Sequence, residues 1–276
     1  MASAAVTAER GQGSERWRQV WASAWPKLLA VAIALAIWQG VSALYALGGR
    51  FYVMPSPAAV FADLRTQLGT AAFYDAVRVT MGRALLGYTM ALVIGLVIGV
   101  SVVRVTVLRR AVGSLITGLQ TMPSIVWLPF AIILFPGSEL AIYLVVVLGA
   151  APSIANSVIL GVDHVSPELV RAGQILGVRG LGLYRRVVLP ATLPALVSGM
   201  KQGWAFAWRS LMAGEILVHV GHSIGTNLNN AFDFSDQAGL MSVMIVILVI
   251  GILADALFSR ADTVIRARRG LLNQAL

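Results

Sequence analysis

The sequence predicts an all-α membrane protein of six transmembrane helices with both termini in the cytoplasm. Of its 276 residues, 58% are hydrophobic and only 12% charged, with a mean hydropathy of +0.81. A soluble domain carries about 25% charged residues. Six stretches reach the roughly 20 mostly apolar residues that a spanning helix needs. Lys and Arg gather in alternate connecting segments, as the positive-inside rule requires. So little charge cannot solvate a particle of this size. That excludes a soluble enzyme, a disordered chain and a nucleic-acid binder, despite a net charge of +9. With no cysteine, disulfides, thiolate metal sites and Cys nucleophiles are excluded as well.

Residues 1–25 are rich in Ala, Ser, Gly, Gln, Glu and Arg and are expected to form a flexible cytoplasmic N-terminus. The six-helix domain occupies 26–259, and 260–276 form a basic cytoplasmic tail. The first apolar stretch, 26–47, is longer than a signal-peptide core and no A-x-A pattern follows it, so it reads as a retained helix. Residues 48–77 are too polar to span. After Met54-Pro55-Ser56-Pro57, the spacing of Ala58, Phe61, Leu64 and Leu68 predicts a helix lying on the outer surface.

The second stretch is 79–103 and the third 111–135, where Pro123 and Pro129 kink the helix or free its carbonyls. A Pro136-Gly137-Ser138 turn leads into the fourth, 140–161. The fifth, 194–218, carries Lys201, Arg209 and Glu215, and the sixth is 238–258. Gly95 with Gly99, and Gly199 with Gly203, have the small-xxx-small spacing that allows close helix contact. Fifteen of the 21 Lys and Arg residues fall in 1–27, 104–110, 162–190 and the tail. The alternate segments hold Arg50, Arg65 and Arg78.

Within the segment 163–190, Ser166-Pro167-Glu168 reads as a helix start, with Ser as N-cap, Pro at the first helical position and an acid at the positive dipole end. Leu169, Ala172 and Leu176 share one face; Glu168, Arg171 and Gln174 share another. Gly177 is suited to end the helix in the left-handed conformation. A second short helix is expected over 181–188, broken by Leu189-Pro190 because proline cannot donate the backbone hydrogen bond. By spacing alone the segment is either a plain basic loop or a docking element.

The same residues resemble the EAA loop of ATP-binding-cassette (ABC) importer permeases, whose pattern is E-A-A, three residues, G, nine residues, I-x-L-P. Counting back from Leu189-Pro190, Val187 takes the Ile place and Gly177 the Gly place. Arg171-Ala172-Gly173 stand where Glu-Ala-Ala is expected. Arg171 reverses the motif's charge, so a contact made by the family's Glu is not carried over to it; Glu168, one turn earlier, offers an acid on that face. The resemblance covers about 30–270 and is closest to the nitrate, sulfonate and taurine subfamily. Its further matches are Arg78–Arg83, Met122–Pro129, Trp208-Arg209 through Glu215, and Gly251–Asp255.

The resemblance implies a type I ABC importer permease fold and a multi-pass protein of the cell membrane. It implies a second permease subunit, as a homodimer, two cytoplasmic ATPases docked on 163–190, and an external solute-binding protein. The cargo it implies is a small anion such as a sulfonate, taurine or nitrate, with a different solute such as a vitamin precursor as the alternative.

The residues themselves place ATP chemistry elsewhere. A phosphate-binding loop needs G-x-x-x-x-G-K-[ST], and the two lysines, Lys27 and Lys201, follow Pro26 and Met200. No cofactor is therefore expected on this chain; ATP and Mg belong to the partner ATPase. His164, His219 and His222 lack metal-ligand spacing, and no G-x-S-x-G elbow is present. An ion-coupled secondary transporter, the main rival, would need no docking loop.

Ionisable groups at membrane depth usually face a cavity or a partner. Arg209 lies about 22 Å along a helix from Pro194 and is read as facing a cavity, against an interhelical ion pair. Gln120, Trp127, Asn156, Trp208 and Glu215 are the other candidate lining groups, with helix packing as their alternative. Glu215, six residues beyond Arg209, is badly spaced to pair with it. Lys201 is expected to snorkel to the cytoplasmic interface. On this cysteine-free chain, a cysteine introduced as Gln174→Cys is expected to resist an impermeant thiol reagent in intact cells and to react once the cytoplasmic face is opened. Labelling from outside would reverse the topology.

Overall fold

The computed structural model describes residues 2–49 and 53–267, without the side chains of 2–20, 23 and 106. Among them the regular structure is helical. In chain order the helices are α1 (Ala2–Leu47), α2 (Pro57–Leu68), α3 (Ala71–Arg104), α4 (Thr106–Thr121), α5 (Leu128–Leu134) and α6 (Glu139–Asp163). Then come α7 (Pro167–Ile175), α8 (Leu181–Leu183), α9 (Leu189–Val218), α10 (Ile224–Asp233) and α11 (Gln237–Ala267). The N-terminal segment expected to be flexible is helical from Ala2, and the tail is helical to Ala267. Arg268 and Arg269 of that tail lie outside the described residues.

The chain divides into two compact units. One runs up to Thr66 and includes Asp236–Ser242; the other is Gln67–Ser235 with Val243 onward. In the first unit, the Trp38 indole N–H donates to the Pro55 carbonyl at 3.0 Å and the Ser42 hydroxyl to that of Met54 at 3.0 Å, which lays the Met54–Pro57 segment along α1. Leu28, Val31, Ile37 and Leu44 of α1 point outward, as on a helix that meets lipid. Val60 is the fully buried residue of α2, while Phe61 and Leu68 are exposed, and Asp63 accepts a hydrogen bond from Ser242. The buried face is therefore not the expected one of Ala58, Phe61, Leu64 and Leu68. A local apolar spacing finds an amphipathic helix but not which neighbour claims it.

The second unit is built around α6. A Cβ on Gly95 of α3 would lie 2.7 Å from the Ala151 carbonyl oxygen and 2.8 Å from Ile154 Cβ; one on Gly203 of α9 would lie 2.7 Å from Ile154 Cγ1. Gly99 is equally tight against Val158, and Gly199 against Ser157. Both small-xxx-small pairs thus bring a neighbouring backbone onto α6, with Ile154 wedged between them. Where the surrounding solvent is as apolar as the side chains, such van der Waals contact is the main source of helix association. Tyr88, Trp204, Trp208 and Leu211 complete this core, joined by Ile247, Ile250 and Phe258 of α11.

A polar network closes the end of the unit opposite α7. Glu215 is fully buried. Its carboxylate accepts from Arg83 Nη1 at 3.1 Å, from Thr80 Oγ1 at 2.9 Å and from the Gly225 backbone N–H at 3.1 Å. Arg83 also donates to Glu139 at 2.6 Å and to the Val220 carbonyl at 2.7 Å. The network ties α3, α6, α9 and the turn before α10 together. Glu215 is therefore a structural anion and not the path-lining group expected of it.

Four segments of the described residues are apolar and long enough to cross a membrane unbroken: Ala24–Leu47, Ala71–Arg104, Glu139–Asp163 and Gln237–Ala267. The third predicted stretch is instead a pair, Val107–Thr121 and Ser124–Leu134, bent by 100°. Pro123 stands at that break, whereas Pro129 sits in the first turn of α5, where a missing N–H costs nothing. The fifth stretch, α9, is 30 residues long but too polar to qualify with the four. Lys201, expected to snorkel, is instead 3.1 Å from Asp255 and donates to Ser259 at 2.8 Å. Of the six expected spans, four are unbroken apolar helices, the third is a bent pair and the fifth is a polar helix.

Glu215→Ala leaves Arg83 its bonds to Glu139 and Val220 but leaves buried Thr80 and the Gly225 N–H without their acceptor, at about 1–3 kcal/mol for each unsatisfied group. It should lower thermal stability in detergent clearly, and Glu215→Gln, which keeps an acceptor for Thr80 and Gly225, should lower it by less. Equal stability for Glu215→Ala and wild type would contradict the network.

Candidate functional site

Two polar regions stand out against the apolar bundle. The first lies at the break between α4 and α5. A cavity of about 350 Å³ is bounded by Gln120, Met122, Pro123, Ser124, Phe206 and Arg209, among others. The Ser210 hydroxyl donates to the Phe206 carbonyl at 2.8 Å, which leaves Ser124 to donate to Ser210 Oγ at 2.6 Å. That bond anchors the broken helix to α9. Gly149 makes it possible, since a Cβ there would lie 2.3 Å from Ser210 Oγ. Gln120 donates to the Pro152 carbonyl at 3.0 Å and accepts from Asn156 at 3.3 Å, which fixes the last turn of α4 on α6.

Arg209 supplies the charge. Its Nε donates to the Ala205 carbonyl at 3.0 Å, and its guanidinium carbon lies 4.9 Å from the Phe206 ring centre. Stacked and tied by one nitrogen, it keeps its outer N–H groups available. Among the described residues no carboxylate pairs with it, and the cavity lining contains none. The site is therefore suited to a small anion.

A second cavity, of about 280 Å³, lies between α6 and α9, with Ser157, His164, Ser198 and Gln202 among its lining residues. Ser198, Gln202, Phe206 and Arg209 recur along one face of α9. Three of them are exposed polar groups, an arrangement that lipid does not tolerate. Ser124, Ser198, Gln202 and Ser210 were not singled out from sequence; the spacing of Ser198 and Gln202 ahead of Arg209 was the available signal.

Of the six predicted lining residues, the structure brings Gln120 and Arg209 to one cavity, with Asn156 one hydrogen bond away. Trp127 instead packs beside Leu128, Ala131 and Val145, edge-on to Phe130. Trp208 is largely buried, stacked on Trp204 at 6.4 Å, and with Arg209 it lines a further cavity of about 740 Å³, mostly apolar, whose wall also holds Gly251 and Asp255. Glu215 is in the buried network.

The second region is the basic loop. Ser166 caps α7 by accepting from the Glu168 N–H, and Pro167 takes the first turn. At the other end Gly177 has φ +83°. Its N–H reaches the Gln174 carbonyl at 3.0 Å, while the Val178 N–H reaches that of Gly173 at 3.0 Å. This is a Schellman closure with glycine in the left-handed position. A Cβ on Gly173 would lie 2.9 Å from side-chain atoms of both Leu183 and Val187, so the Gly173 and Val187 positions of the motif meet face to face.

The expected break at Leu189-Pro190 does not occur. Tyr184–Val188 form a π-helical turn that runs directly into α9, with Pro190 in the first turn of α9. The wider turn absorbs the missing proline N–H. The loop therefore holds one separate helix, α7, and one extension of α9. Leu169, Ile175 (85% exposed), Leu176 (81%) and Leu181 form an uncovered apolar surface on it. Glu168, Arg171 and Ala172 lie exposed among these residues, and Leu189 is exposed at the head of α9. Exposed apolar groups gathered in this way are typical of a surface that meets another protein or the membrane.

Residues 91–267 match the family of binding-protein-dependent transport system inner membrane components. The chain is similar to the taurine transport system permease protein TauC of Escherichia coli, 26% identical over 230 residues, covering 82% of each chain. It is similar to the nitrate import permease protein NrtB of Leptolyngbya laminosa, 26% identical over 179 residues, covering 64% of this chain and 63% of that one. Among solved structures, a chain of the MetNI methionine ABC transporter in an inward-facing conformation has the same fold. Its TM-score is 0.61 at 20% identity, with 70% of this chain and 96% of that one covered.

Gly173→Leu forces bulk between α7 and the π turn at a cost of about 1–3 kcal/mol. Gly177→Ala has open space around it and meets only the left-handed backbone penalty of about 1–2 kcal/mol. Limited trypsin digestion should cut Gly173→Leu faster than wild type at Arg171 and Arg179, with Gly177→Ala in between. Identical cleavage of all three would mean that the glycine contact does not hold the loop.

Proposed function

Because the chain belongs to the family of binding-protein-dependent transport system inner membrane components, and is thus the multi-pass inner-membrane permease of an ABC importer, we propose that it moves a small anion along the polar face of α9. The observation that carries this reading is Arg209, a guanidinium that has no carboxylate partner among the described residues and lines a polar cavity at a helix break. Half-helix termini and unwound backbone at membrane depth are where transporters hold their substrates.

In this reading two copies face each other across the path, since the exposed Ser198, Gln202 and Arg209 need a polar neighbour. Two cytoplasmic ATPases dock on the apolar surface of the 163–190 loop and carry out ATP hydrolysis with Mg; this chain is no enzyme and holds no cofactor. An external binding protein delivers the cargo. Closure of the ATPases moves α7, and α7 moves α9 through the packed Gly173–Val187 contact. Taurine and nitrate, named for two similar permeases, both present oxyanion groups that a stacked arginine can hold. A neutral cargo such as a vitamin precursor would leave Arg209 without a role.

One charge-assisted hydrogen bond is worth about 1.5–3 kcal/mol, so Arg209→Ala should reduce uptake about tenfold or more while the complex still assembles. Arg209→Lys should recover part of the loss. Uptake of labelled taurine and nitrate by vesicles, alongside the yield of intact complex, measures both. Unchanged uptake would remove the anion reading, and failure to assemble would make Arg209 structural.

A further inference from the structure

A separate cavity, of about 250 Å³, takes no part in this path. It opens on the far side of α6, between α3, the π turn and the start of α9. Its walls are apolar, with Leu96, Val100, Val158 and Leu196 among them, and two cations line it, Arg104 and Arg185. Both arginines are exposed. Among the described residues neither has a carboxylate partner, and the nearby Asp163 is already paired with Arg109. Arg104 is the last residue of the apolar helix α3, on which Val93, Val97 and Val100 face outward. Leu96 lies about 12 Å along that helix from Arg104. The cavity therefore descends from a charged rim into the depth of the hydrocarbon layer, at the arginine-rich end that the positive-inside rule assigns to the cytoplasm.

We infer that this crevice binds an anionic phospholipid, with its phosphate held by Arg104 and Arg185 and an acyl chain laid along α3 and α9. A free anion would satisfy the arginines but leave the apolar walls empty. An acidic segment of a protein would not fill a groove that opens on a lipid-facing helix. Paired basic groups above a hydrophobic cleft between helices match the chemistry of an anionic headgroup with its chains. Tyr184, Arg185 and Val188 of the π turn line the same cavity, so the bound lipid packs against the joint between the loop and α9. The inference rests on residence in a bilayer and is independent of the cargo.

The test is to purify the full chain in mild detergent from membranes holding phosphatidylethanolamine, phosphatidylglycerol and cardiolipin. Retained phospholipid is then quantified by mass spectrometry. Two cations near a headgroup predict enrichment of the anionic lipids by about tenfold over their membrane share. The Arg104→Gln, Arg185→Gln double variant should lose it. Val100→Trp, which fills the crevice and spares both arginines, should lose it too. All three positions are exposed, so thermal stability close to wild type is the expected control. Enrichment that survives the double variant overturns the site. Enrichment lost with the arginines but kept in Val100→Trp also overturns it, because it shows only diffuse attraction to a charged surface. Should the double variant instead release the ATPase with its lipid unchanged, the arginines belong to the ATPase interface and the site is likewise overturned.

Discussion

Ile154 occupies space that two glycines leave open, and the second unit is arranged around that contact. With a Cβ on Gly95 or Gly203, α3 or α9 would have to retreat from α6 by an ångström or so, and the close contacts would be lost together. The polar features depend on the same closeness. Ser157 fits only because residue 199 is glycine, and Ser124 reaches Ser210 only across Gly149. The cavity at the helix break therefore follows from backbone packing around α6. Its polar residues occupy positions that small residues have opened.

Arg83 and Arg209 show how burial and neighbours divide one residue type between two roles. Arg83 is nearly fully buried with two carboxylates and a carbonyl around it, so its charge is neutralised and its geometry fixed from several sides. Arg209 has a carbonyl, an aromatic face and an open cavity. The first contributes rigidity at one end of the bundle; the second keeps an unspent positive potential inside it. A low-dielectric surrounding strengthens both effects, which is why the positions of the few acids matter more here than their number.

Much of this could be read from the residues. The apolar stretches locate α3, α6 and α11 within a few residues at most termini, and the cap residues Ser166 and Gly177 mark both ends of α7. The glycine pairs announced close packing, although not which helix they would meet. What escaped was non-local. Glu215 looked like a path residue because its partner Arg83 is 132 positions away, at the entry of another apolar stretch. Pro123 and Pro129 look equivalent as letters, but only one falls at a helix break. The continuity across Leu189-Pro190 depends on a π turn, whose wider register no short-range rule of proline behaviour anticipates.

That continuity has a mechanical consequence. Pro194 does not interrupt α9, which runs as one rod of 30 residues, about 45 Å, from the loop to the buried carboxylate. Its tightest hold on α6 includes Gly203, close to the midpoint, with arms of about 21 Å and about 22 Å on either side. Near its far end Glu215 is locked to Arg83, so the rod cannot swing freely about that centre. A push on the short helices beside the loop is borne first by the glycine contacts on α6 and loads the length of α9 between them and the locked carboxylate, which is where Arg209 stands.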